Sequence, residues 1–197
     1  MEQDLKTAAM RDKWNRIYAN EGTASLPAAV ITESLALLPP RGRAFDIACG
    51  RGTNAMFLAQ LGLTVDAWDI SDVAIDQQQE RARTLGLPLN ASCCDIKPER
   101  LGGRQWDVIV NCHYLDRSLT AAMKTALAPG GLILFQTFTA AKQIRSGPSK
   151  PDFLLATGEL RSMFADFDVL LERDESASTD PENPLAGRAM LIARKPG

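Results

Sequence analysis

The chain has 197 residues, 45% of them hydrophobic and 23% charged, with a formal net charge of -2. That length predicts one domain with enough apolar side chains for a core. The charge argues against nucleic acid as a partner, no stretch approaches the ~20 apolar residues of a membrane helix, and the acidic start Met1-Glu2-Gln3-Asp4 is unlike a secretory signal. The four cysteines, Cys49, Cys93, Cys94 and Cys112, lack the CxxC spacing of a zinc or redox site. No metal is expected, and the thiols read as reduced ones of a cytoplasmic protein.

In chain order, residues 4–20 predict a helix with Trp14 and Tyr18 on one face. A second helical stretch follows Pro27 and ends before Pro39-Pro40. Residues 1–40 thus form a helical cap, and an alternation of strands and helices occupies 41–197. Ala44 to Cys49 predicts strand one, and Thr53 to Leu61 a helix stopped by Gly62. Thr64 to Trp68 is strand two, followed by a helix capped by Ser71 and ended at Gly86. Leu89 to Cys93 is strand three and Trp106 to Val110 strand four. Ser118 is placed to cap a helix bearing Leu119, Met123 and Leu127. Pro129-Gly130-Gly131 is a turn before strand five, Leu132 to Phe138. A helix from Thr157 to Phe164 precedes two strands, Phe167 to Leu171 and Arg188 to Ala193, joined by a polar loop without a helix. Such strands pair antiparallel. The expected fold is α/β: a Rossmann-like, doubly wound, mostly parallel seven-stranded sheet with a C-terminal antiparallel hairpin and N-terminal helices over a cofactor site.

In open α/β sheets ligands bind beyond the carboxyl ends of the strands. Those ends hold Asp46-Ile47-Ala48-Cys49-Gly50-Arg51-Gly52, then Asp69-Ile70, Cys94-Asp95-Ile96, and Asn111-Cys112-His113-Tyr114. Gly50 and Gly52 allow close backbone approach. Asp69 lies at the distance from the turn that suits a ribose-binding acid. Asp95 is placed to meet an exocyclic amine, with Ile70 and Ile96 flanking a flat ring. Gly50 to Ala55, with Asn54 inside it, also fits the G-x-G-x-x-G/A pattern of dinucleotide binders. A pyrophosphate at the helix N-terminus would, however, be repelled by Asp46. An ammonium-bearing, phosphate-free ligand such as S-adenosylmethionine matches that acid better.

On these residues the chain resembles the class I S-adenosylmethionine-dependent methyltransferases. The matching features are Asp46 to Gly52, Asp69, Asp95 and Pro129-Gly130-Gly131, with Ala48 where the family usually has glycine. Val65 to Asp69, Gly158 to Arg161 and Ala189 to Lys195 are most similar to the small tellurite-resistance methyltransferases. The resemblance implies that the loop from Ala48 and Cys49 to Gly52 passes under the methionine part of the cofactor. It also implies that Asp69 holds the ribose, Asp95 and Cys94 lie at the adenine end, and Asn111 and Cys112 line the methionine moiety. Trp14 and Tyr18 are then contacts from the first helix, or ordinary packing residues.

His113, the chain's one histidine, falls just past strand four at the expected mouth of the site, as a base or a hydrogen-bond donor. Tyr114 and Arg117 stand beside it as catalytic candidates. Residues 139–152, with Lys142, Arg145 and Lys150, read as a lid or a solvated loop. The leading expectation is transfer of a methyl group to a small molecule, small oxyanion or thiol by a monomer or homodimer. The alternatives are an NAD(P)-dependent reductase and a non-enzymatic cofactor-binding domain.

Overall fold

A computed structural model describes residues 2–20 and 26–197. Residues 21–25, inside the predicted cap, lie outside the described part. One seven-stranded sheet runs in the order β3-β2-β1-β4-β5-β7-β6. Its strands are β1 (Arg43–Ile47), β2 (Thr64–Asp69), β3 (Leu89–Cys93), β4 (Trp106–Cys112), β5 (Leu127–Phe138), β6 (Asp168–Asp174) and β7 (Arg188–Arg194). The first five pair in parallel, and β7 is antiparallel to both β5 and β6. The expected seven strands and closing hairpin are therefore present.

The central strands are buried on both faces, with period-2 alternation sorting their side chains into two cores. Phe45, Ile47, Trp68, Ile109, Ile133 and Phe135 belong to one, while Ala44, Val65, Ala67, Val108, Leu132 and Leu134 belong to the other. Phe45 stacks on Trp106 at 4.4 Å and meets Trp68 edge-on at 4.7 Å. Such pairs add about 0.5–1.5 kcal/mol each beyond their buried area. Trp106 Nε1 donates to Asp66 at 2.7 Å, so the indole is buried without an unmet donor.

The helices are α1 (Glu2–Ala19), α2 (Ala29–Thr32), α3 (Thr53–Gln60), α4 (Asp72–Leu85), α5 (Pro98–Leu101), α6 (Thr120–Ala126) and α7 (Glu159–Met163). Ser71 caps α4 by accepting the Ala74 N–H, and Gly86 ends it in the left-handed conformation. At the next predicted cap the acceptor is Asp116, which takes the Ser118 N–H into a 3-10 turn ahead of α6. Leu127 begins β5 rather than ending α6. Strand five thus starts before Pro129, and a register shift against β4 absorbs the Pro-Gly-Gly segment. The short α5 has no counterpart in the predicted elements.

The two N-terminal helices do different work. Thr7, Arg11, Asn15 and Tyr18 fall on one face of α1 and cross the carboxyl ends of three strands. Thr7 Oγ1 donates to Asp95 at 3.1 Å, Arg11 Nε to the Ile70 carbonyl at 3.3 Å, and Ser71 Oγ to Asn15 Oδ1 at 2.7 Å. The short α2 instead packs its buried Ala29, Val30 and Ile31 on a sheet face with Leu132, Leu134 and Ile192. Among the described residues no helix is long and apolar enough to cross a membrane.

Candidate active site

Three residues within five take positive φ after β1: Ala48 at 52°, Gly50 at 53° and Gly52 at 75°. The chain therefore turns back tightly before α3 begins. Gly50 and Gly52 are needed for space as well. A Cβ on Gly50 would lie 2.7 Å from the Tyr18 hydroxyl, and one on Gly52 would fall 2.3 Å from the Gln78 side chain. Ala48 holds a left-handed conformation with a Cβ present, which costs about 1–2 kcal/mol.

The loop is pinned from its neighbours. Cys49 N–H donates to the Trp68 carbonyl at 3.0 Å and Gly50 N–H to Asp69 Oδ2 at 2.8 Å. From α4, Gln78 Nε2 donates to the Gly50 carbonyl and to Cys49 Sγ, each at 3.3 Å. The second oxygen of Asp69 accepts the Ser71 N–H at 2.9 Å. Asp69 is buried, and burial raises its carboxyl while the backbone N–H bonds oppose that shift. It braces the loop, and its remaining lone pairs are free to accept from a ligand.

Asp46 is 1% exposed. It accepts the Ala55 N–H from the first turn of α3, and burial, aided by the nearby Asp69, raises its carboxyl to about 8. Its Oδ2 is buried without a hydrogen-bond partner. Beside it in β4, both side-chain polar atoms of Asn111 are also buried and unpartnered. A buried polar group left unmatched costs about 1–3 kcal/mol. Two of them at the carboxyl ends of adjacent strands are what a polar ligand would complete. A cation placed beside this carboxyl would favour its charged form.

At the far strand ends, Asp95 receives Thr7 and pairs with Lys97 at 3.3 Å. Ile96 is buried and Ile70 half-buried. Cys94 is buried, with burial raising its thiol to about 11, while Cys93 is exposed. Cys112 is buried and its thiol is also pushed up, with Asn54 as a hydrogen-bond partner. Asn54 in turn accepts the Ala28 N–H at 3.0 Å, tying α3 to the start of α2. Trp14 stacks on Tyr18 at 5.6 Å, and the Arg51 guanidinium lies over the Tyr18 ring at 5.4 Å.

The three catalytic candidates diverge. His113 adopts φ 59°, and its ring lies 5.4 Å from Phe138. It is exposed at the surface, yet burial, with the Arg188 cation, lowers its imidazole to about 4. The open side of the ring tempers that push, and the direction is toward a neutral ring at pH 7. Tyr114 instead packs against the core that contains Trp68 and Ile96, where Asp116, Asp95 and Asp69 add to burial in raising its phenol. Arg117 is committed elsewhere: it forks onto Glu159 at 2.5 and 2.9 Å and donates to the carbonyls of Asp152 and Leu154. It clamps the segment after β5.

Two residues near His113 carry no motif. Gln136 in β5 is 1% exposed and faces the His113 ring. Arg188 opens β7 directly across from Phe138, stacks on that ring at 4.4 Å, and has a buried Nε without a partner. Only the β5–β7 register brings it there, so no local signal in the sequence marks it.

Residues 44–131 match a family model described as a methyltransferase domain. Over that segment, a little under half of its length, the chain is similar to methyltransferase domains. Hemagglutinin 1 of Eikenella corrodens is 28% identical over 170 residues, covering 79% of this chain and 55% of that protein. The probable S-adenosyl-L-methionine-dependent methyltransferase TehB of Haemophilus influenzae is 24% identical over 165 residues, covering 78% of this chain and 57% of that one. The chain thus spans a little over half the length of these relatives. The crystal structure of that TehB superposes with a TM-score of 0.68 over 84% of this chain and 61% of TehB, at 24% identity. Magnesium protoporphyrin IX methyltransferase (ChlM) from Synechocystis PCC 6803, solved with bound SAH, gives 0.68 at 14% identity, covering 96% of this chain and 99% of that one.

Proposed function

We propose that this protein transfers a methyl group from S-adenosyl-L-methionine to a small acceptor, an oxyanion or a thiol. The observation that carries the reading is the buried, unpartnered Oδ2 of Asp46 beneath the glycine loop. An uncompensated carboxyl in that position suits a ligand with an ammonium group. The likeness to TehB and to the tellurite-resistance methyltransferases supports the acceptor class.

The bound cofactor supplies a methyl group already activated by its sulfonium. The chain's part is orientation and exclusion of water. Asp46 would balance the ammonium, with Asn111 and Cys112 beside the methionine portion. Ala48 to Gly52 would give the ligand close access to backbone, and Asp69 would accept from the ribose hydroxyls. Asp95 would meet the adenine amine between Ile70 and Ile96. Trp14 and Tyr18 on α1 would close the site from above. His113 and Arg188, at the ends of β4 and β7, would face the acceptor. Residues 1–197 would act as one catalytic unit, 41–197 carrying the chemistry and 1–40 the cap, in the cytoplasm and as a monomer or homodimer.

The test is formation of S-adenosylhomocysteine from the methyl donor in the presence of tellurite, selenite or a small thiol. Turnover with at least one of them is expected. Tight binding of S-adenosylhomocysteine without turnover on any would contradict the acceptor class.

A further inference from the structure

Gln136 grips His113 twice. Its backbone carbonyl accepts the His113 N–H at 2.8 Å, and its Nε2 stands 3.4 Å from His113 Nε2. The orientation of the Gln136 amide is not free. Its Oε1 accepts the backbone N–H of Val30 at 3.0 Å, and a backbone N–H has only a donor to offer. The amide nitrogen must therefore face the imidazole. Because that nitrogen also only donates, His113 Nε2 has to accept. The ring is then neutral, with its proton on Nδ1. No described residue hydrogen-bonds to Nδ1, and His113 is exposed. The charged group beside the ring is Arg188 of β7, a cation that disfavours a second proton. Phe138 of β5 provides an uncharged wall. The positive φ of His113 is a strained position for a non-glycine residue, held by the same Gln136 carbonyl.

We infer that Gln136 is a positioning residue that fixes His113 as the neutral Nδ1–H tautomer, so that His113 meets the methyl acceptor as a hydrogen-bond donor and not as a base. This rests on the methyltransferase reading for the identity of what is met, though not for the tautomer. It implies an acceptor that reaches the site already deprotonated, since the imidazole offers a proton in a hydrogen bond and removes none. A neutral donor beside Arg188 matches an oxyanion or a thiolate.

His113 is the chain's one histidine, so a nitrogen-15 spectrum of histidine-labelled protein reports on this ring alone. With S-adenosylhomocysteine added, a single Nδ1–H tautomer is expected between about pH 5 and 8, where an ordinary histidine would titrate. In Gln136→Met that signature is lost, and the population moves toward the Nε2–H form that free imidazole side chains favour. An Nε2–H tautomer or a protonated ring in the wild type would overturn the inference. So would an unchanged tautomer in folded Gln136→Met. Should that variant not fold, the wild-type spectra decide alone. A further arm compares His113→Asn, whose amide reaches the Nδ1 position, with His113→Gln, whose amide reaches Nε2. With tellurite as the probe acceptor, the Asn variant retains more turnover than the Gln variant; the reverse order contradicts a donor at Nδ1. Calorimetry with S-adenosylhomocysteine on the same samples separates the two levels. Absence of binding sinks the methyltransferase reading and leaves the tautomer result to stand or fall by itself.

Discussion

The two halves of the strand-end surface are built differently. At the ends of β1, β2 and β3 the candidate groups are acids and glycines in local motifs; Asp46 and Asp69 accept from backbone N–H groups, and Asp95 is held by the Thr7 and Lys97 side chains. At the ends of β4, β5 and β7 the working groups are His113, Gln136 and Arg188. They come from three separated segments: β4–β5 pairing joins His113 to Gln136, and Arg188 arrives because β7 pairs antiparallel with β5. The first half is the one proposed to hold the methyl donor. The second is the one proposed to face the acceptor, and changing one of its side chains leaves the glycine loop untouched.

The contrast is sharpened by substitutions that should act on one half only. Asp69→Ala is expected to have the largest effect. It removes the acceptor of two buried N–H groups, on Gly50 and Ser71, together with the proposed ribose contact. Charged hydrogen bonds contribute about 1.5–3 kcal/mol each, so calorimetric affinity for S-adenosylhomocysteine should fall by roughly 100-fold or more, at 1.4 kcal/mol per tenfold. Unchanged affinity would remove Asp69 from the cofactor site.

Asp46→Asn comes next and carries a pH signature. The carboxyl stands at about 8 in the fold against an ordinary 3.8. A carboxyl raised by folding costs nothing at low pH, where it is protonated in both states. The penalty builds from about pH 4, as the unfolded chain ionises, and is complete above about pH 8. The ligand-free Asn variant should therefore gain thermal stability over wild type as pH rises across that window, and match it near pH 4. It should also bind S-adenosylhomocysteine at least about tenfold more weakly, for want of a charge partner for the ammonium. A gap in melting temperature that is constant with pH would contradict the assignment of Asp46.

The pattern of success in reading the sequence follows the same divide. The places of Asp46, Asp69 and Asp95 at strand ends were legible because a glycine turn and the strand-helix alternation put strand ends at known intervals. Ser71 and Gly86 were legible as caps because capping is a local interaction. The partners of Arg117 were not legible for a physical reason: Glu159 and the carbonyls of Asp152 and Leu154 lie some 40 positions on, beyond any local pattern. Gln136 sits inside an apolar strand, where a lone amide gives no hint that it reaches Val30 and His113. The start of β5 was missed because proline and two glycines signal a turn, whereas here pairing with β4 resumes around an irregularity.

Two smaller effects complete the comparison. Arg117→Gln should loosen the 151–159 segment and lower stability by about 1 kcal/mol or less, since the ion pair is partly exposed and screened. Affinity for S-adenosylhomocysteine should not change, and a loss there would mean that the segment reaches the cofactor side. Ala48→Gly should relieve the left-handed strain while adding freedom to the unfolded chain. These oppose each other at about 1 kcal/mol each, so the melting temperature should move little and the cofactor affinity should hold. A large loss of affinity would show that the Ala48 methyl group itself contacts the ligand.

The most direct test is calorimetric titration of the intact chain with S-adenosylhomocysteine and, separately, NADH, over a pH series up to about 8. Ammonium-linked ionisation of Asp46 should make S-adenosylhomocysteine bind more tightly as pH rises toward 8, with no binding of NADH. Binding of NADH without S-adenosylhomocysteine, or an affinity for S-adenosylhomocysteine indifferent to pH across that range, would contradict a site built around the buried Asp46.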